Sequence, residues 1–296
     1  MTSTSIDSPG ENWTLPERRE GHPADAELQA RRAQLVGLEA IQQFDSTARV
    51  EACTIASVRC LKVTPPCPEG TLLYFHGGGF RMGRPELCAG LASRIAARTN
   101  LRVVLPDYAL APEHPFPAAL LDGAGVYDAL QAEPRLLLGG DSAGGGLAAS
   151  LVLAAHAAGR RRPDGLLLLS PWLDLANRTE SFVSQAANDA MFSRQSADEA
   201  ACAYLAGTGA EHQLASPWRG SMQHFPPAWI CASANEVLRD DAVSFAKALA
   251  DAGQRVDLTV LPSQDHVWPV LHPSGHATEH VLAAITLFVA GLSAAH

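Results

Sequence analysis
The 296-residue chain predicts an α/β fold, with a mostly parallel central sheet and helices on both faces. Two observations carry that expectation. From Thr71 onward, apolar runs such as Leu72-Leu73-Tyr74-Phe75 and Arg135-Leu136-Leu137-Leu138 alternate with helical segments, the rhythm of a sheet covered on both sides. Two of these runs also lead straight into glycine-rich turns, His76-Gly77-Gly78-Gly79 and Gly140-Asp141-Ser142-Ala143-Gly144.

Residues 1 to about 48 are polar, with Pro9, Pro16 and Pro23 breaking the lead-in to a helix over Ala26 to Phe44. Val50 to Val63 alternates enough for one or two opening strands. After the turn at Ser142, Leu147 to Ala158 is rich in alanine and leucine without proline, which predicts a helix. Between Asp174 and Ser216 the strand–helix rhythm breaks, and Phe182, Met191, Phe192 and Tyr204 stand amid polar and alanine-rich sequence. It resumes with strand-like runs at Pro227–Cys231 and Val256–Leu261, separated by Asp240–Ala252 with the spacing of a crossover helix. His272, His276 and His280 recur every four residues, but Pro273 and Gly275 interrupt a helix before His276. Only two can share a face, so a solvated helix start is expected and no metal site.

The turn at Ser142 places one serine between two glycines at a strand-to-helix junction. Glycines there allow strained backbone and close strand–helix approach, and the serine hydroxyl is pushed out at the end of the sheet. Read alone, the stretch also fits a glycine-rich turn with an incidental serine. The upstream loop narrows the choice. Acyl transfer needs backbone N–H groups aimed at the oxygen that becomes negative, and Gly78 and Gly79 suit that task, with Ala143 adding a further N–H. No G-x-G-x-x-G and no Walker lysine accompanies the loop, which disfavours a phosphate turn. An acid and a base should then follow the serine in that order. Glu236 and His266 do so, each after an apolar run and hence on loops at the sheet edge where Ser142 emerges. Asp240 and Asp241 crowd the first of these loops, with a role as helix caps to account for them.

Five blocks in one order resemble the hormone-sensitive-lipase-like (bacterial family IV) esterases of the α/β-hydrolase fold. They are His76–Phe80, Pro106–Ala118, Gly140–Gly145, Leu168–Leu175 and Glu236–Asp241, within a likeness covering roughly residues 50 to 290. The resemblance implies a cofactor-free serine hydrolase acting on short-acyl carboxylic esters. Ser142 would be the nucleophile, His266 the general base and Glu236 the triad carboxylate. Gly78, Gly79 and Ala143 would form the oxyanion hole, and His76 would orient its loop. It implies a core made of residues 49–174 and 217–296, with a cap made of residues 1–48 and the insertion 175–216. Phe80 and Trp172, with Phe182 and Phe192, are candidates to line a short substrate pocket, core packing being the alternative for each. Four positions depart from the family pattern. Ala109 stands where arginine is usual, so a buried ion pair is expected to be missing. Arg81 replaces a small or apolar residue and would bind an anionic substrate group, pair with a cap carboxylate or be solvated at the rim. Asn235 replaces a frequent aspartate, and Val267 replaces the glycine after the histidine. The same machinery leaves lactones, small N-acyl amides and acyl transfer open, and a non-catalytic ligand-binding member of the fold as a further alternative.

Composition limits the other classes. The formal charge of −9 disfavours nucleic acid. No run approaches about 18 apolar residues, so no membrane span is expected. Met1–Asp7 has neither a basic nor an apolar signal region, and a cytoplasmic protein with its six scattered cysteines reduced follows. The expected partner is a small-molecule ester, with no metal, and a homodimer is left open.

Overall fold
The computed structural model describes residues 15–39 and 44–293. Among these residues one eight-stranded sheet forms from β1 (Arg49–Ile55), β2 (Val58–Thr64), β3 (Gly70–Phe75), β4 (Leu101–Pro106), β5 (Leu136–Asp141), β6 (Gly165–Leu169), β7 (Ala228–Ser233) and β8 (Val256–Leu261). Their order is β1-β2-β4-β3-β5-β6-β7-β8. The β1–β2 hairpin is antiparallel and so is the β2–β4 pair, whereas every pairing from β4 through β3 to β8 is parallel.

Strands β3, β5, β6 and β7 are buried along their whole length. Their leucine-rich runs are continuous because both faces are covered. The two-residue period then divides one run between two cores. Leu73, Phe75, Leu138 and Leu168 pack with α3 (Ala118–Ala129), α4 (Ala143–Ala157) and α7 (Arg239–Asp251); α1 (Ala26–Glu39) and α2 (Pro85–Thr99) precede these in the chain, and α5 (Ser181–Ser184) and α6 (Arg194–Leu205) lie between α4 and α7. Leu72, Tyr74, Leu137 and Leu167 pack on the other face with α2, α8 (Trp268–Leu271) and α9 (His276–Ser293). Each such side chain taken out of water contributes about 1.5–3 kcal/mol.

The strand order reverses between β3 and β5, which are adjacent in the sheet although β4 separates them in sequence. Chains leaving the carboxyl ends of such a pair diverge and leave a crevice. The His76–Gly79 loop leaves β3 there, and Ser142 leaves β5.

Two elements differ from expectation. The first helix is described to Glu39, residues 40–43 lie outside the described set, and Phe44 is not helical. Beyond it the Asp45 carboxylate accepts from the Thr47 amide (3.0 Å) and hydroxyl (2.6 Å), a local turn that competes with helix. Helix α4 begins at Ala143 rather than Leu147, so Gly144, Gly145 and Gly146 are helical. A Cβ on Gly144 would lie 2.1 Å from the Phe75 carbonyl oxygen. Close packing of α4 on β3 therefore overrides the poor helix propensity of glycine. Among the described residues no helix is long and apolar enough to cross a membrane.

Candidate active site
Ser142 occupies the sharp corner between β5 and α4 with φ 52° and ψ −123°. A non-glycine residue holds such backbone only when its surroundings enforce it. Here the Ser142 amide donates to the Leu169 carbonyl (2.9 Å), and its own carbonyl accepts from Gly146 (3.1 Å) and Trp172 (3.0 Å).

The corner brings Ser142 Oγ to 2.9 Å from Nε2 of His266, carried on the loop after β8. His266 Nδ1 lies 2.5 Å from Glu236 Oε2, on the loop after β7. The other Glu236 oxygen accepts from the Ser233 amide at 2.8 Å, so the carboxylate is held at both ends. All three side chains are buried. Burial by itself would depress the His266 imidazole, but the hydrogen bond and charge of Glu236 outweigh it, and its pKa is raised. Asn235, in place of the frequent aspartate, accepts from the Ser263 amide (2.8 Å) and ties the two loops together.

The glycine loop lies against this row. Gly78 and Gly79 have φ of 114° and 63°. At Gly78 a Cβ would stand 2.2 Å from the Met82 carbonyl oxygen, so glycine is required there. Among the described residues the amides of Gly78, Gly79 and Ala143 have no hydrogen-bond partner, which leaves three donors free beside Ser142. Asp141 orders the loop, a part not read from the sequence. Its Oδ2 accepts from the Gly77 amide (2.9 Å) and its Oδ1 from the Tyr74 hydroxyl (3.1 Å). Burial pushes the Asp141 carboxyl up to about 6, against the pull of those hydrogen bonds. His76 stacks on Tyr108 with ring centroids 4.2 Å apart, while the Tyr108 hydroxyl donates to the His76 carbonyl (2.7 Å). Burial depresses this imidazole to about 4, so it is neutral at physiological pH.

A cavity of about 160 Å³ opens beside Ser142, lined by Arg81, Met82, Phe192, Ala200 and His266 among others. Phe192 stacks over His266 at 5.8 Å between ring centroids. Of the two alternatives for Phe80 and Trp172, pocket wall or core packing, the structure shows the second: neither lines the cavity, and both are buried. Phe80 stacks on Tyr204 of α6 at 3.8 Å, and Trp172 Nε1 donates to Asn177 Oδ1 (2.8 Å). Large flat rings gain more from such packing than from an open wall. Phe182 is likewise buried outside the wall.

Asp240 and Asp241 do not cap α7, whose N-cap position is Leu238 and carries no side-chain cap. They reach across to the segment after β6 instead. Asp240 accepts from the Ser181 amide (2.9 Å), and Asp241 from the amides of Leu173 (2.9 Å) and Asp174 (3.1 Å). At the Ala109 departure, the Ala109 amide donates to Asp122 (2.9 Å), and Arg18 from the N-terminal segment supplies the ion pair to that carboxylate.

A family model described as the alpha/beta hydrolase fold matches residues 72–270. An acetyl-hydrolase of Streptomyces hygroscopicus is 38% identical over 216 residues, covering 71% of this chain and 72% of that protein. The crystal structure of EstE5 soaked in ethyl alcohol superposes with a TM-score of 0.85 at 31% identity, covering 92% of this chain and 93% of the other. An esterase from the bacterial hormone-sensitive lipase family gives a TM-score of 0.85 at 31% identity, over 90% and 92% of the two chains. With the motif blocks, the sheet order and these relatives in agreement, the chain belongs to the hormone-sensitive-lipase-like esterases of the α/β-hydrolase fold.

Proposed function
We propose that Ser142, His266 and Glu236 hydrolyse short-acyl carboxylic esters through an acyl-enzyme intermediate. As a member of its family the chain is a carboxylic-ester hydrolase. The observation that carries the residue assignment is the row Ser142–His266–Glu236, with contacts of 2.9 and 2.5 Å.

Ser142 Oγ attacks the ester carbonyl as His266 Nε2 takes its proton. Glu236 holds the imidazole with Nε2 facing the serine and stabilises the imidazolium. The N–H groups of Gly78, Gly79 and Ala143 receive the developing oxyanion. His266 then protonates the leaving alcohol. A water, activated by the same imidazole, releases the acid and restores the serine.

Residues 1–48 and 175–216 are read as a cap over this row. Phe192 on His266, Tyr204 on Phe80, and Ala200 in the cavity wall support that role for the second segment. A cavity near 160 Å³ suits an acetyl to hexanoyl group, about the space that holds benzene in an engineered protein core. The name acetyl-hydrolase of the Streptomyces relative agrees.

The test is Ser142→Ala, assayed with p-nitrophenyl acetate and butyrate beside labelling by a fluorophosphonate. We expect turnover to fall by about three orders of magnitude or more, with labelling abolished and circular dichroism unchanged. Retention of a tenth of wild-type turnover would remove Ser142 as nucleophile.

A further inference from the structure
Two guanidinium groups line the cavity beside Ser142, and among the described residues neither forms an ion pair. Arg81 follows the oxyanion loop and is half-buried, while Arg31 projects from α1. Among the described residues Arg81 forms no ion pair, its Nη2 reaches the Ser196 carbonyl only at 3.5 Å, and its buried Nε has no partner. Arg31 likewise has no ion pair or hydrogen bond among the described residues. The chain as a whole carries 31 acidic against 22 basic side chains. Arg18, Arg32, Arg59, Arg94 and Arg102 each pair with a carboxylate.

The acidic groups facing Arg81 are otherwise placed. Glu199, Asp25 and Glu27 influence it from a distance beyond contact, and Glu199 accepts instead from Gln195 (3.1 Å). Asp141, also in the wall, is committed to Tyr74 and Gly77. Arginine stays charged at any physiological pH, so Arg81 is a permanent cation partly removed from water, and such a charge is unfavourable until paired. Its backbone is fixed, since its amide donates to Gly78 (3.1 Å) and its carbonyl accepts from Arg32 Nε (2.8 Å). A positioned, desolvated guanidinium fork with free donors is a receptor for a planar or tetrahedral oxyanion.

We propose that the preferred substrate is an anionic ester, whose carboxylate or phosphate, a few bonds from the scissile carbonyl, is bound by Arg81 with help from Arg31. The inference rests on the ester-hydrolase reading above and adds the substrate class. The anion can sit on the acyl or on the alcohol side, and the same chemistry serves both.

The test compares two matched pairs on the whole protein. The acyl arm uses the p-nitrophenyl half-ester of glutarate against p-nitrophenyl pentanoate, and the alcohol arm uses 4-acetoxybenzoate against 4-acetoxybenzamide. We expect kcat/KM at least about tenfold higher for the anionic member of one arm, which identifies the side. In Arg81→Gln that ratio collapses toward one, Arg81→Lys keeps part of it, and Arg31→Gln lowers it by a smaller factor. Should Arg81→Gln fail to fold, the wild-type ratio and the exposed Arg31→Gln still decide. Rapid cleavage of the neutral esters with no anionic preference in either arm overturns the proposal alone. Cleavage of none of the four overturns the ester-hydrolase reading and the proposal with it.

Discussion

The His266 imidazole works between two opposed influences, burial that depresses its pKa and Glu236 that raises it, with Glu236 the stronger. General-base catalysis needs the neutral ring. Activity therefore rises with pH through a pKa above the ordinary histidine value, and kcat/KM measured against pH should show its acid limb there. Glu236→Gln removes the largest raising influence and leaves burial against the weaker pull of Asp189 and Asp141, so the limb of any residual activity moves to lower pH. The same change should lower kcat by roughly three to four orders of magnitude, because the amide no longer stabilises the imidazolium. Asp240→Asn touches only the Ser181 amide and the Arg239 side chain, and should cost about 1 kcal/mol in urea denaturation with kcat kept. A dead Asp240→Asn beside an active Glu236→Gln would move the acid to Asp240.

At the scale of elements, the turn after β8 carries an unusual burden. Val267 stands at φ 52° and ψ 32°, a left-handed backbone that a β-branched side chain tolerates poorly. It is buried, and its amide donates to Ser170 Oγ at 3.3 Å. Left-handed strain of about 1–2 kcal/mol opposes roughly 1.5–3 kcal/mol from burying the side chain. Alanine would lose the packing and keep the strain, while glycine would lose both. We therefore expect Val267→Gly to be more stable than Val267→Ala by about 1 kcal/mol in thermal melts, the reverse of the usual order. An ordinary ranking, alanine above glycine, would mean that the turn is not strained by its side chain. Helix α4 obeys a similar conflict, since three glycines open it where propensity favours any other residue. Contact with the Phe75 and Trp172 carbonyl oxygens settles the matter, because a Cβ on Gly144 or Gly146 would meet them at 2.1 and 2.2 Å.

For the whole molecule, the parallel sheet brings loops from β3, β5, β7 and β8 to one edge, and the segment containing α5 and α6 places Phe192 on His266 and Ala200 in the cavity wall there. The resulting cavity of about 160 Å³ sets an expectation for chain length. Acetyl to hexanoyl esters should be turned over at least about tenfold faster than dodecanoyl esters, read as kcat/KM across a p-nitrophenyl series, since each methylene left in water forfeits roughly 0.8 kcal/mol. Faster cleavage of long-chain emulsions would contradict the cavity's size. Met191 and Phe192 stand in its wall, so substitutions there, and not at Phe80 or Trp172, are the ones expected to change acyl preference directly.

What the sequence determined by itself was local or ordinal. Continuous apolar runs announced buried parallel strands, the glycines around Ser142 announced a tight strand–helix corner, and the chain order Ser142, Glu236, His266 announced which loops to bring together. Such signals survive in one dimension because each depends on neighbours a few residues away. Tertiary structure alone decided what depends on distant partners. Asp240 and Asp241 looked like helix caps, yet their carboxylates answer amides some 60 residues earlier in the chain, at Leu173, Asp174 and Ser181. Phe80 and Trp172 looked like pocket walls, but ring stacking and a hydrogen bond draw them into the core. The role of Asp141 in holding Gly77 was hidden because it joins the end of β5 to a loop 64 residues away in the chain. Arg81 was visible as an oddity of sequence, but that it forms no ion pair among the described residues follows only from where Glu199 and Asp141 are committed.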